Sequence, residues 1–142
     1  VSWLYFFILN VITEGGKTMK EVFTFMLYRN LVDAEGNIVK QIPATPEDYA
    51  NYSFSDHYIF AMKNGFVDVF QKDLPFEVLY SKTPFIAVLP LQKFHYVEVY
   101  KEKYFIVRID TLWGAYTLQG KELIKVNRKN QFEVEETLKK LG

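Results

Sequence analysis

The chain has 142 residues, which suits one domain with a hydrophobic core and is short for two. Apolar residues make up 49% and aromatic residues 18%, so we expect a core rich in Phe and Tyr and a preference for strands. Lysine and arginine number 17, as do aspartate and glutamate, and this balance argues against binding to nucleic acid or anionic membranes. The absence of cysteine excludes disulfides, thiolate zinc sites and cysteine nucleophiles.

Residues 1–13, VSWLYFFILNVIT, form an uncharged and strongly apolar run. The run is shorter than the ~20 apolar residues of a membrane-spanning helix, and it lacks the basic start and small residues of a signal peptide. A phosphate loop at residues 15–18 would need a glycine where Val11 stands. Two interpretations remain, a translated leader and a buried or edge β-strand.

The leader hypothesis comes from the codons that can encode residues 14–19, EGGKTM. They can contain the ribosome-binding sequence GGAGG a few nucleotides before an ATG. We therefore predict that Met19 is the natural start of a bacterial, cytoplasmic protein. Residues 1–18 are then an apolar leader outside the natural protein, and residues 19–142 are a single β-rich domain. We expect no membrane contact unless residues 1–13 act as an anchor.

The next segments read as strands and turns. Glu21–Arg29 is apolar on both faces, which predicts a central strand. The turn residues Glu35-Gly36-Asn37 lie between two β-branched runs and predict a hairpin. Thr45-Pro46-Glu47-Asp48 combines a capping threonine, a proline at the first helical position and acidic residues, so it predicts a short helix ending near Tyr52.

A second hairpin has the clearest local signal in the chain. His57–Lys63 and Phe66–Gln71 are β-forming runs, and the Asn64-Gly65 pair between them suits a two-residue type I′ turn. Prolines at 75, 84 and 90 then divide the chain into the short pieces Phe76–Ser81 and Phe85–Leu89. Prolines at this spacing are typical of strand starts, edges and turns.

The remaining residues predict a meander followed by a helix. We expect strands at Phe94–Lys101 and Tyr104–Asp110, a turn at Thr111–Gly114 and a hairpin reversing at Gln119-Gly120. Asn130 can cap a helix that runs through Leu141, with Val134, Leu138 and Leu141 on one face and Gly142 beyond its end. The predicted fold class is mainly β (or α+β): an antiparallel sheet or half-barrel of β-hairpins with one short inserted helix and a C-terminal helix.

Three segments share a spacing of six residues between two small or turn-forming positions, with Gln71 as the exception in turn type: Asn30 and Gly36, Gly65 and Gln71, Gly114 and Gly120. Each unit is predicted to be a strand, a tight turn, a strand and another turn, because turns with φ > 0 favour Gly or Asn.

The same segments resemble the WG-repeat family of bacterial β-repeat modules. That family continues its Trp-Gly pair as Gly-hydrophobic-hydrophobic-Asp-x-x-Gly-Lys-x-hydrophobic-Ile-Pro. Here the matching residues are Trp113-Gly114 with Gly120-Lys121-Glu122-Leu123-Ile124, then Asn64-Gly65-Phe66-Val67-Asp68, then Leu31-Val32-Asp33 with Gly36 and Ile42-Pro43. The resemblance implies a binding or scaffolding role and supplies no catalytic residues.

Candidate chemistry is sparse. His57 follows Ser55-Asp56, but neighbours in a strand point to opposite faces and do not form a triad. His95 lies between Phe94 and Tyr96 with Glu98 as its nearest carboxylate in sequence. Two distant histidines without cysteine argue against a metal site, and we expect no cofactor. Carboxylate pairs such as Glu98 with Glu102, or Asp68 with Asp73, have no supporting motif.

The surplus of aromatic residues is the remaining clue to function. One sheet face could present several rings for sugar stacking or for anchoring a protein, although such a face is more often core. The candidate binding residues are Tyr96, Tyr100, Trp113, Tyr116 and His95. We expect a small bacterial interaction domain that binds a protein through a strand edge or this aromatic face. The alternatives are a small-ligand binder or enzyme using a barrel mouth with His57 or His95, and a toxin-immunity or mobile-element protein.

Overall fold

A computed structural model describes residues 6–14, 17–24, 28–74 and 85–142. The described strands form three antiparallel sheets, and a helix follows the last strand. The prediction of a mainly β chain of hairpins with a C-terminal helix is therefore confirmed. The sheets are consecutive in sequence: the first contains β1–β4, the second β5–β7 and the third β8–β11.

The first sheet is a meander in which each strand pairs with the next. Its strands are β1 (Phe6–Glu14), β2 (Lys17–Thr24), β3 (Tyr28–Val32) and β4 (Ile38–Pro43). The predicted continuous strand Glu21–Arg29 is wrong, because β2 ends at Thr24, which pairs antiparallel with Tyr28, the first residue of β3. Residues 6–14 form a strand, as the β-strand interpretation of the apolar run predicted. The natural start at Met19 stays a prediction.

The second sheet contains β5 (Asn51–Phe54), β6 (Tyr58–Lys63) and β7 (Phe66–Gln71). The hairpin at Asn64-Gly65 is confirmed, since both residues have positive φ, 55° and 81°, as a type I′ turn requires. The predicted helix at residues 45–52 is wrong. Residues 47–48 form a turn, and β5 begins at Asn51 because pairing with β6 replaces helical hydrogen bonding there.

The third sheet has the order β11-β10-β9-β8. Its strands are β8 (Tyr96–Tyr100), β9 (Tyr104–Ile109), β10 (Leu112–Thr117) and β11 (Glu122–Arg128). The reversal at Gln119-Gly120 is confirmed. The predicted turn at Thr111–Gly114 is displaced: Leu112 already pairs with Ile109 and Gly114 with Val107, so the turn lies at residues 110–111.

Two of the three segments with the six-residue spacing contain the same turn. In the β3–β4 turn, the Asp33 amide donates to the Asn37 carbonyl, the Gly36 amide to the Asp33 carbonyl, and the Asn37 amide to the Asp33 carboxylate. The β10–β11 turn repeats all three hydrogen bonds with Thr117, Gly120 and Lys121 in the equivalent places. Gln71 ends β7 without this turn, while Asn30 and Gly114 lie inside strands rather than opening them.

One of the buried hydrophobic clusters, which we call the core, lies between the second and third sheets. Its buried members are Val69, Leu89, Phe94, Val97, Phe105, Val107 and Tyr116. Segment 85–89 runs beside β7, since the Gln71 amide donates to the Ile86 carbonyl and the Val88 amide to the Val69 carbonyl. It forms a single bridge there, and the other proline-bounded piece, Phe76–Ser81, lies outside the described residues.

The other face of the third sheet is covered by α1 (Gln131–Leu141). Asn130 caps the helix as predicted, accepting a hydrogen bond from the Glu133 amide at 2.9 Å. Val134 and Leu138 are buried against the sheet. Leu141, the last residue of the helix, is 57% exposed.

Candidate functional site

Three of the five predicted binding residues share the helix-covered face of the third sheet. Tyr100 and Trp113 pack against the cluster of Val134 and Leu138. The Tyr96 ring meets the Trp113 indole edge to face at 5.6 Å between centroids. Tyr100 and Trp113 therefore help to seat α1, and all three side chains keep part of their surface accessible.

The polar end of Tyr96 is also engaged inside the protein. Its hydroxyl donates to the Glu98 carboxylate at 2.6 Å, and the Gln131 amide donates to the other oxygen of that carboxylate. The hydrogen bond to Glu98, with burial as a second cause, raises the pKa of Tyr96 to about 12. The Glu98 carboxylate thus joins the phenol of Tyr96 to Gln131 in the first turn of α1.

Tyr116 and His95 do not join that face. Tyr116 points into the core, where its ring meets Phe94 edge to face at 5.2 Å between centroids. His95 stacks on Phe66 at 4.8 Å between centroids, and its Nδ1 accepts a hydrogen bond from the Asp110 amide at 2.9 Å. The structure therefore brings together Tyr96, Tyr100 and Trp113 and separates the other two.

A groove of about 410 Å³ lies between the second and third sheets. We call it the edge groove. Its lining is mainly apolar, with polar groups from β5 and Glu98 of β8, and its principal residues are Asn51, Ser53, Phe60, Met62, Val97 and Val99. Met62 is 38% exposed, so an apolar side chain meets solvent inside the groove.

One end strand from each of the two sheets lines this groove. β5 is at one end of the second sheet and β8 at one end of the third, and residues of both line the groove. Among the described strands, β8 pairs with β9 alone. In an antiparallel pair, alternate residues direct their N–H and C=O groups away from the partner strand. The edge groove thus has an apolar lining beside a strand edge that offers backbone hydrogen bonds.

The buried carboxylate of Asp68 connects the segments that lead into both edge strands. It accepts hydrogen bonds from the Gln92 amide at 2.7 Å, the Gln92 side chain at 2.8 Å and the Tyr49 hydroxyl. Burial, followed by the bond to Asp68, raises the pKa of Tyr49 above its usual range. Because Tyr49 precedes β5 and Gln92 precedes β8, Asp68 of β7 positions both walls of the groove.

A second cavity of about 300 Å³ continues from the edge groove through the shared residues Ser55 and Val99. We call it the acidic cavity, since Asp56 and Glu102 line it together with Lys101 and His57.

His57 Nδ1 lies 2.8 Å from the Asp73 carboxylate, and this hydrogen bond is the main cause that raises the pKa of His57. The partner is Asp73 rather than the adjacent Asp56. Ser55 Oγ does not complete a triad, because it donates to the Tyr58 carbonyl and accepts from the Tyr58 amide. The two side chains of the pair are 71% and 44% exposed, so this histidine sits in solvent at the cavity mouth. The Asp73 carboxylate thus favours the protonated imidazole.

The sequence did not indicate Phe60, Met62, Val97 or Val99 as site residues. The alternation Val97-Glu98-Val99 predicts a strand with one apolar face, but a strand edge carries no local signal. Within the described ranges, no group of three or more His, Asp or Glu side chains is placed to hold a metal ion. No helix in that part of the chain is long and apolar enough to cross a membrane.

Comparison with known protein families, curated proteins and solved structures found no match to this chain in any of the three.

Proposed function

We propose that this domain is a binding module that takes a protein partner in the edge groove. The observation that carries the proposal is an apolar groove lined by the end strands of two sheets. The resemblance of the hairpins to WG-repeat modules points to the same class of function. The aromatic face is the weaker location, since its rings and hydroxyls are engaged with α1 and with the core.

The groove has the features of a protein contact rather than a reaction centre. Its lining is mainly apolar, and Met62 is available to a partner. Burial of apolar surface drives most protein association, and methionine adapts to different partner shapes. A small apolar molecule is the competing occupant, because about 410 Å³ falls within the range of ligand cavities.

The test uses a phage-displayed library of random twelve-residue peptides, selected on the wild-type chain. Selected peptides are then measured against Met62→Lys, which places a charge in the groove. Ile38→Lys is the matched control, because Ile38 is an exposed apolar strand residue of β4 outside the groove. We expect Met62→Lys to weaken binding about tenfold or more, since a buried unpaired charge is costly.

Ile38→Lys should leave the affinity unchanged, and both variants should keep the wild-type circular dichroism spectrum. Peptides that bind both variants equally well would place recognition outside the groove and overturn the proposal. Failure to select any peptide, with displacement of an apolar dye by small molecules alone, would favour the small-ligand alternative.

A further inference from the structure

We propose that the partner enters the edge groove as an extended segment that adds to β8 as a new strand. Its apolar side chains would face the groove lining, and a Lys or Arg would lie in the acidic cavity. This inference rests on the proposed function and names the conformation and chemistry of the partner. It assigns the site to β-strand addition rather than to docking of a helix.

The backbone of β8 is the first argument. β8 spans Tyr96–Tyr100, and β9 is its one partner among the described strands. Among the described residues, one backbone hydrogen bond from a turn or loop involves β8. The Lys103 amide donates it to the Tyr100 carbonyl within the β8–β9 turn. The outward N–H and C=O groups along the strand are thus available to a partner. A helix satisfies its own backbone groups and would leave this edge unused.

The side chains beside that edge supply the second argument. Val97 and Val99 share one side of β8 and point toward the core, while Phe60 and Met62 approach from β6. A strand added to β8 would alternate its side chains, so every second one would meet this apolar lining. Polar residues on the opposite side would remain in water. The fitting segment therefore alternates apolar and polar residues.

The charged side chains of the acidic cavity determine which residue the partner strand should carry at one end. Two carboxylates, Asp56 and Glu102, line the acidic cavity beside Lys101 and His57, and the charge of a protonated His57 is offset by its partner Asp73. The Lys101 ammonium lies 5.4 Å from the centroid of the Tyr100 ring. This cation–π interaction with the ring competes with the attraction of Lys101 to the two carboxylates. The acidic cavity therefore has two carboxylates against the one lysine, Lys101. A cationic side chain is the complement, and it would gain from the carboxylates in a partly enclosed site.

The probe is an acetylated and amidated seven-residue peptide of alternating valine and threonine with lysine at each end. Two partners of the same sequence carry N-methyl groups, one on the valine amides and the other on the threonine amides. In an added strand, one of these two sets of amides faces β8 and the other faces away. Titration of the ¹⁵N-labelled full chain by NMR measures the three affinities.

We expect one N-methylated peptide to bind about tenfold or more weakly, because two or more backbone hydrogen bonds are lost, while the other binds within about threefold of the parent. Amide shifts should concentrate on Tyr96–Tyr100. A peptide with glutamate in place of both lysines should bind about tenfold more weakly at low salt, with a smaller difference at high salt.

Equal effects of the two N-methylated peptides would overturn strand addition. Binding that is lost in Met62→Lys yet indifferent to N-methylation would keep the proposed function and remove this inference. If library-selected peptides bind in the groove and the designed peptide does not bind at millimolar concentration, the alternating basic segment is the wrong partner. Equal affinity of the lysine and glutamate peptides would refute the role of the acidic cavity.

Discussion

The β10–β11 turn needs a glycine at position 120 for two reasons, its positive φ and the close approach of Val88, and replacement by alanine tests both. Gly120 has a φ of +85°, and a β-carbon there would lie 2.2 Å from the carbonyl oxygen of Val88. Gly65 has a nearly equal φ of +81° with nothing within 4 Å of such a carbon. Gly65→Ala is therefore the matched control for the backbone conformation alone.

The expected magnitudes follow from these contacts. A left-handed conformation costs an alanine about 1–2 kcal/mol, which is the whole effect expected for Gly65→Ala. A carbon–oxygen contact needs about 3.3 Å, so Gly120→Ala must displace Val88 by about 1 Å. Overpacking of this kind costs about 1–3 kcal/mol, so the total for Gly120→Ala is about 2–5 kcal/mol.

Urea unfolding followed by circular dichroism and tryptophan fluorescence measures both free energies of unfolding. Since small domains have a stability of about 5–15 kcal/mol, the difference between the two variants is well resolved. If the two variants lose unfolding free energies that agree within about 0.5 kcal/mol, the contact between the turn and Val88 is refuted.

Three further predictions concern polar groups. Asp68→Asn places an amide donor near the Gln92 side-chain donor, so we expect a loss of about 2–4 kcal/mol in urea unfolding. His57 should titrate above its ordinary pKa in NMR, because the Asp73 carboxylate favours the charged imidazole. Its small stabilising contribution is then present below about pH 6.5 and lost as the pH rises through the folded pKa. Tyr96 should ionise near pH 12 by ultraviolet absorbance, since its phenol donates to Glu98, and this contribution is lost as the pH rises from about 10 through that value.

Each of these predictions has a control within the chain. Asp73→Asn changes a solvent-exposed carboxylate and should cost less than about 0.5 kcal/mol, and a loss as large as that of Asp68→Asn would contradict the structural role of Asp68. The same Asp73→Asn variant should return the pKa of His57 toward its ordinary value. An unchanged titration would mean that another group causes the shift. Tyr96→Phe should remove the step near pH 12 from the absorbance curve.

Local signals in the sequence predicted the features that local hydrogen bonds determine. Asn64-Gly65 specifies its turn because Asn and Gly accept positive φ, whatever the rest of the chain does. Asn130 caps α1 through a bond to an amide three residues away. The six-residue spacing identified two turns with the same hydrogen bonds, at Gly36 and Gly120.

Features that depend on distant partners were missed. The helix start at Thr45-Pro46 has good local chemistry, yet the Tyr49 hydroxyl binds Asp68 and residues 51–54 pair with β6, so tertiary contacts override local preference. The edge groove joins β5 to β8, which are more than forty residues apart in the sequence. Neither strand carries a mark of being at an edge. Two of the predicted aromatic binding residues, Tyr100 and Trp113, pack against the cluster that holds α1 on the sheet.

Hydrogen exchange of the backbone amides in the free chain tests the availability of the β8 edge most directly. Amides of β9 lie between two strands and should be protected throughout. In β8 we expect alternation, with protected amides facing β9 and rapidly exchanging amides facing the groove. Uniform protection along Tyr96–Tyr100 at the level of β9 would show that the edge is already paired and would contradict strand addition.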